Sequence, residues 1–345
     1  MKAFAMLAGG ALCFGMVSAS VDKPDMRTPS RFAGETPLII GHATSMGAAP
    51  VIEIEVSSFP GVEASDPLID IGSLTKFVTA VTVLKLIDQG AFTLQSPISD
   101  LLDDVPEDKQ DITVHDLLTH SSGLVASTGR DEEALGRDAF LERLMAAPLM
   151  HPVGQEYLYS NAGYSLLAAI IEVQSGTSYE GYLNDTVLRP LGLQPIGYRS
   201  VYDDNRSLRT LRRIETLFRQ QTIAEASWGG ASPGWNLIGN GGAVTTAEGF
   251  LLLWLAFYAG EIVSPSLVDA ALTAHVDEGD GNTFYGYGIV VEHSDDLGTL
   301  YWHDGGNDLF SAEWRYLADR QVALFTAGHG EDAFEAMEDL LKQVR

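Results

Sequence analysis

Apolar and polar positions alternate at strand period in two stretches near the start of the polar chain, TPLIIGHATS (36–45) and APVIEIEVSSF (49–59). In the second, Ile52, Ile54 and Val56 alternate with Glu53 and Glu55, the pattern of a half-buried strand. The period then changes. From Gly72-Ser73 to Asp88 the apolar positions Val78, Val81, Val83, Leu84, Leu86 and Ile87 wrap most of a helical circumference, which predicts a helix buried on more than one side and ended by Gln89-Gly90. Residues 96–238 carry mostly helical signals. ITVHDLLTH starts with Thr113 as N-cap and stops at SSGL, and GYSLLAAIIEVQSG closes on Gly176. RSLRTLRRIETLFRQQ belongs to a run with six arginines from Arg199 to Arg219, read as a helical face pairing with acids of an acidic protein. Strand patterns return in TFYGYGIVVE, GTLYWHDG, SAEWRYLA and QVALFTAG, and a helix over Glu331 to Val344 closes the chain.

Strands at both ends around a helical middle predict an α/β (α+β) architecture. Residues 36–95 and 239–345 form one discontinuous α/β domain, with a helical domain of residues 96–238 inserted into it.

Composition sharpens this picture at the N-terminus. Of 345 residues, 46% are hydrophobic and 20% charged, far from the disordered classes. Met1-Lys2, the apolar run Ala3 to Val17 and the small residues Val17-Ser18-Ala19 read as a signal peptide over residues 1–19, too short to span a bilayer comfortably. That predicts a periplasmic or secreted protein with no membrane span in the mature chain. Cys13 is the one cysteine and lies in this segment, and the large Leu12 before it does not suit lipidation. The mature chain therefore has no thiol, which excludes cysteine catalysis and disulfides. The formal net charge is -26, and loss of Lys2 makes it more negative. Such a field repels nucleic acid and anionic lipid and leaves a small-molecule or peptide substrate as the expected partner.

Two serines compete for a nucleophile's role. Gly230-Ala231-Ser232-Pro233-Gly234 fits G-x-S-x-G, but that motif uses the N–H of the residue after the serine, and Pro233 has none. Ser73 is better placed. At a helix N-terminus the dipole favours developing negative charge, and Lys76, one of six lysines, lies three residues on along the same face. A desolvated lysine has a lowered pKa, so its neutral amine can accept the serine proton. Alone, S-x-x-K is also what a surface lysine following a serine would give. Two further segments add to it. Tyr159-Ser160-Asn161 precedes a helix, offering a phenol to relay protons and an amide to hold substrate. His303-Asp304-Gly305 ends a strand, and Gly305 and Gly306 let backbone approach a ligand closely.

With these motifs in this order the chain resembles the serine β-lactamase-related family, which includes class C β-lactamases, D-Ala-D-Ala carboxypeptidases, D-aminopeptidases and β-lactamase-like esterases. The likeness rests on Ser73-Leu74-Thr75-Lys76, ITVHDLLTHSSGL (112–124), Tyr159-Ser160-Asn161, GNGGAVTTAEG (239–249), YGYGI (285–289) and His303-Asp304-Gly305. The resemblance implies a β-lactamase/transpeptidase-like fold, an antiparallel sheet flanked by helices with the site in a cleft beside the inserted helical domain. It implies Ser73 as acylated nucleophile, Lys76 as its activating amine and Tyr159 as proton relay. Asn161 is implied to orient substrate and Lys76, His303 to stand where lactamases commonly have lysine, and the N–H groups of Ser73 and Gly306 to form an oxyanion hole. No metal or organic cofactor is implied. His120 is read as structural, bonding the turn at Ser121-Ser122-Gly123. The motif departs from the family pattern at Asp304, where a threonine hydroxyl usually helps hold a substrate carboxylate. An acid there predicts esters, amides or D-amino-acid peptides with no exposed carboxylate as better substrates than β-lactams, a class C-like β-lactamase or a penicillin-binding module that does not turn over being the alternatives.

Overall fold

The structure is a computed structural model that describes residues 38–44, 50–57, 68–198, 233–307 and 310–344. The predicted leader, Ser232 and the arginine-rich stretch lie outside the described residues.

Strands β1 (Leu38–Thr44) and β2 (Val51–Ser57) form where the alternation predicts them. After β3 (Ile69–Asp70), one 3-10 turn (Gly72–Leu74) leads into α1 (Thr75–Asp88). Helices α2 (Val114–Leu118), α3 (Arg137–Ala146), α4 (Asn161–Ser175) and α5 (Tyr179–Tyr182) follow, and among the described residues no named strand intervenes before β4 (Val244–Thr245). Next come α6 (Ala247–Tyr258), α7 (Pro265–Ala271), β5 (Val276–Asp277), β6 (Thr283–Tyr285), β7 (Val290–Ser294), β8 (Gly298–Gly306), β9 (Phe310–Leu317), β10 (Val322–His329) and α8 (Asp332–Gln343). One eight-stranded sheet runs in the order β2-β1-β10-β9-β8-β7-β6-β5, with antiparallel pairing throughout, while β3 and β4 form a separate two-stranded ribbon.

Local sequence explains the ends of the helices that matter. Thr113 caps α2 by accepting from Asp116 N–H, and the Asp116 side chain answers to Thr113 N–H at 2.9 Å, a complete capping box. Ser160 caps α4 through Gly163 N–H at 2.9 Å, and Gly176 ends it at φ 70°, where a side chain would be strained. TFYGYGIVVE is two strands rather than one. A turn closed by Gly286 N–H to Ile289 C=O separates β6 from β7, and Gly288, at φ 69°, passes so close to α1 that a Cβ would lie 2.7 Å from the Lys76 carbonyl oxygen.

The sheet buries both faces. On one, Met337, Leu340 and Leu341 of α8 pack on Leu38, Ile40, Leu300, Leu317 and Leu324. On the other, Phe77 of α1 stacks on Trp314 of β9 at 5.7 Å, and Trp254 of α6 lies 4.4 Å from the same indole. Full burial of a side chain such as Phe77 stabilises by about 1.5–3 kcal/mol. This aromatic cluster fixes α1 across the sheet, and thereby sets the start of the helix beside the end of β8.

Candidate active site

The turn carrying Ser73 is held on every side. Gly72 takes φ 49°, its N–H donates to Asp70 Oδ1 at 2.8 Å, and its carbonyl accepts from Thr75 Oγ1 at 2.7 Å. Thr75 Oγ1 in turn accepts from Ala243 N–H at 3.2 Å, tying the turn to the segment before β4. Backbone meets backbone here. A Cβ on Gly305 would fall 2.3 Å from Ser73 N, and one on Gly72 would fall 2.5 Å from Gly306 N. Only glycine lets β8 come this near, so the amides of Ser73 and Gly306 sit side by side.

Lys76 is fully buried one turn into α1. Its Nζ donates to Ser73 Oγ at 3.2 Å and to the Asn240 carbonyl at 2.7 Å, and it lies 4.6 Å from the centre of the Tyr159 ring. Burial pulls its pKa down from 10.5 to about 7, with Asp131 and Asp304 opposing the shift. Tyr159 comes from the segment just before α4; burial pushes its phenol up, with the Ser73 hydroxyl beside it working against the rise. Ser73 thus bonds the amine and has the phenol beside it, as a nucleophile between a proton acceptor and a proton relay would.

Two histidines stand behind these groups, and both are neutral. His303 is buried; its Nδ1–H donates to the Asp304 carbonyl at 2.6 Å, leaving Nε2 to accept from Tyr285 Oη at 3.0 Å. Burial brings its pKa to about 4, Asp304 opposing and Lys76 reinforcing. His120 differs from the expectation that its ring bonds the Ser121-Ser122-Gly123 turn. Its Nδ1 accepts from Ser160 N–H at 3.0 Å, its carbonyl accepts from Leu158 N–H at 2.9 Å, and its ring lies 4.4 Å from Tyr159 and 4.5 Å from Tyr285. It braces the loop that presents Tyr159 and Asn161. Burial, then Lys76 and His303, hold its pKa well below the ordinary value.

A cavity of about 110 Å³ opens beside Ser73, with Asn161, Asn240, Gly306, Asp131 and Glu132 on its walls. Asn161 Oδ1 is buried without a hydrogen-bond partner; the contact to Lys76 expected of it is made by the Asn240 carbonyl instead. Asp304, expected in the cleft beside His303, is exposed and is not part of this cavity's lining. Strand alternation turns it to the face opposite His303, across from Glu313. The acids at the cavity are Asp131, Glu132 and Asp70. Sequence reasoning missed Asp131, Glu132 and Asn240. The first two stand in the run Arg130-Asp131-Glu132-Glu133, which reads as ordinary solvated charge, and Asn240 acts through a main-chain oxygen that any residue possesses. Only its place in the glycine-rich GNGG hinted at it.

The Beta-lactamase family model matches residues 61–343, so the chain belongs to that family. Penicillin-binding protein 4* of Bacillus subtilis (strain 168) is 25% identical over 294 residues, which span 78% of this chain and 62% of that protein. Esterase EstB of Burkholderia gladioli is 30% identical over 155 residues, 39% of each chain. Both matches cover less than two thirds of the relative's own length. Among solved structures, D-amino acid amidase from Ochrobactrum anthropi SV3 complexed with L-phenylalanine aligns with a TM-score of 0.73 at 17% identity, over 91% of this chain and 94% of that one. At that identity the likeness concerns the fold.

Proposed function

We propose that this protein is an exported serine hydrolase that forms an acyl-serine on Ser73 and acts on esters, amides or D-amino-acid peptides. The observation that carries the reading is a fully buried lysine, its pKa drawn to about 7, donating to Ser73 Oγ at 3.2 Å. Lys76, as the neutral amine, takes the Ser73 proton while Oγ attacks the substrate carbonyl. The N–H groups of Ser73 and Gly306 receive the negative oxygen, each such donor being worth about 3–4 kcal/mol in the transition state. Tyr159 passes a proton to the leaving alcohol or amine, and the acyl-serine keeps the carbonyl carbon. A water, losing its proton along the same route, then releases the acid and restores Ser73-OH. Asn161, at the cavity wall, holds the substrate. Export rests on the leader pattern of residues 1–19; no helix among the described residues is long and apolar enough to cross a membrane.

The surroundings favour substrates without a carboxylate. His303, in the position where lactamases commonly have lysine, is neutral, while Asp131 and Glu132 stand on the cavity wall. A carboxylate brought within a few ångströms of another costs about 1–4 kcal/mol at effective dielectrics between bulk water and a protein surface. The preference for esters and amides over β-lactams therefore rests on these two acids and on the neutral His303, with Asp304, whose charge acts on Lys76 and Tyr159, adding to them. The relative named a penicillin-binding protein keeps one other reading in play, a module that is acylated once and stays blocked. Intact-mass labelling with a fluorophosphonate, followed by peptide mapping, places the adduct on Ser73, and Ser73→Ala abolishes it. Labelling that survives in Ser73→Ala removes the assignment. Steady product release from p-nitrophenyl butyrate supports turnover; a burst equal to the enzyme concentration followed by a plateau supports the blocked module.

A further inference from the structure

We propose that Tyr198 is a positioning residue for the base: its hydroxyl ties Gly239 to Gly241 and so holds the Asn240 carbonyl against the Lys76 amine, which keeps that amine aimed at Ser73. This deepens the acyl-serine reading and rests on it.

The Lys76 amine ends a flexible four-carbon stem. It bonds the Asn240 carbonyl at 2.7 Å, closer than the 3.2 Å to Ser73 Oγ. A neutral amine has two N–H donors and one lone pair. With one N–H fixed on a carbonyl, the lone pair can face the serine hydroxyl; with that carbonyl displaced, the amine turns freely and the reacting geometry is lost. The same carbonyl accepts from the ammonium that forms once the serine proton has moved. Its position therefore bears on both protonation states.

The peptide around that carbonyl is fixed from several sides. Tyr198 Oη accepts from Gly239 N–H at 2.7 Å and donates to the Gly241 carbonyl at 3.0 Å, so one buried hydroxyl spans the residues on either side of Asn240. Thr79 Oγ1, three residues after Lys76 on α1, donates to the Gly239 carbonyl at 2.6 Å and accepts from Tyr179 Oη at 2.8 Å. Asn240 Nδ2 reaches Ser165 Oγ at 2.8 Å and the Asn236 carbonyl at 2.7 Å. Tyr198 is itself anchored, since its N–H donates to Glu180 and Gly197 before it pairs with Val244. Neither Tyr198 nor Thr79 lines the cavity beside Ser73, so their effect on the reaction passes through the Asn240 peptide. A purely structural hydroxyl would add stability and leave the proton affinity of the amine alone, which separates the two roles.

The experiment records kcat/KM for p-nitrophenyl butyrate across the acid limb and plateau in the wild type and three variants, each rate expressed per Ser73 adduct formed with a fluorophosphonate. The ionisable and aromatic groups around the amine, Asp131, Asp304, His303, His120, Tyr159 and Tyr164, are the same in all of them. In Tyr198→Phe the carbonyl is released and the ammonium loses an acceptor, so the acid limb moves to lower pH by about half a unit to one unit, and the plateau falls about tenfold. Thr79→Val removes the donor to the Gly239 carbonyl and moves the limb in the same direction. Thr82→Val removes only the hydrogen bond from Thr82 Oγ1 to the Val78 carbonyl within α1, and leaves the limb in place. A limb that stays at the wild-type pH in Tyr198→Phe, or one that moves equally in Thr82→Val, overturns the proposal. Should Tyr198→Phe fail to fold, an unmoved limb in Thr79→Val overturns it instead. With Ser73 labelled in the wild type, such a failure falls on the positioning role alone, whereas absence of that adduct removes the acyl-serine reading as well.

Discussion

Two lysines are buried in the described residues, and they are held in opposite ways. Lys109, in the helical region after α1, directs its Nζ at the Asp108 carboxylate at 2.7 Å. Lys76, beside the sheet, has no carboxylate in contact; its Nζ bonds a hydroxyl and a main-chain carbonyl, and the acids that influence it, Asp131 and Asp304, act at longer range. Burial alone does not make a base. An ion pair stabilises the ammonium, and a buried lysine so paired is a structural strut. Neutral acceptors leave the desolvation penalty largely uncompensated, which brings the amine to the point where it can exchange a proton near neutral pH. Tyr159 and Tyr164 lie under the Lys76 Nζ in cation–π arrangements that favour the ammonium, as Asp131 and Asp304 do, so burial prevails over all of them; His303 and His120 behind the rings are themselves neutral.

The sharpest test of that difference is truncation of each lysine. Lys76→Ala lowers kcat by about 10²–10⁴-fold with the fold intact, because the serine loses its base. Lys109→Ala leaves kcat within about twofold and instead costs about 0.5–3 kcal/mol of stability, the common range for losing a buried contact. Equal activity losses in steady-state assays of the two variants would erase the distinction. Next in size is Gly305→Ala. The new Cβ falls 2.3 Å from Ser73 N, a backbone atom that cannot swing aside, so β8 must retreat from the turn. Loss of about 10²–10³-fold in kcat follows if one oxyanion donor is withdrawn with it. Circular dichroism and labelling at Ser73 show whether the fold and the nucleophile persist.

The pH profile gives a smaller and more diagnostic effect. On the proposed acyl-serine reading the neutral form of Lys76 is the active one, and with its pKa at about 7 kcat/KM for a neutral ester rises about tenfold per unit below that value and levels off above it. A profile flat down to pH 5 shows that another group is the base. Smallest is the effect on stability. Between about 7 and 10.5 the unfolded chain binds the Lys76 proton and the folded chain does not, so the lysine's contribution to stability rises with pH through that window. Below it the full penalty of burying the amine is present. Lys76→Met is therefore more stable than the wild type by about 1–3 kcal/mol at pH 6, and the gain shrinks toward pH 10. Denaturant midpoints at the two pH values measure it; a gain that grows with pH contradicts the argument.

Much of this protein was determined by sequence alone. Strand period around Glu53 and Glu55, the all-round apolar pattern of α1, the Thr113 capping box and the Gly176 stop are local, and each forms where its own neighbours dictate. Ser73, Lys76 and Tyr159 were legible for a related reason. Their chemistry lies in side-chain type and short spacing, three residues along one helix face and one loop before another. What tertiary structure decided was every property that depends on distant chain meeting. That α1 is fixed on β9 by Phe77, Trp254 and Trp314 follows from packing between Phe77 and Trp314, 237 positions apart in sequence, and no period announces it. The carbonyl that holds Lys76 comes from Asn240, 164 residues away. The orientation of Asp304, turned from His303 by the pleat of β8, was settled by strand pairing with β9, and the place of Asp131 on the cavity wall by where its loop comes to rest. Sequence states which groups can carry charge. Only burial and the company each group keeps decide whether it does.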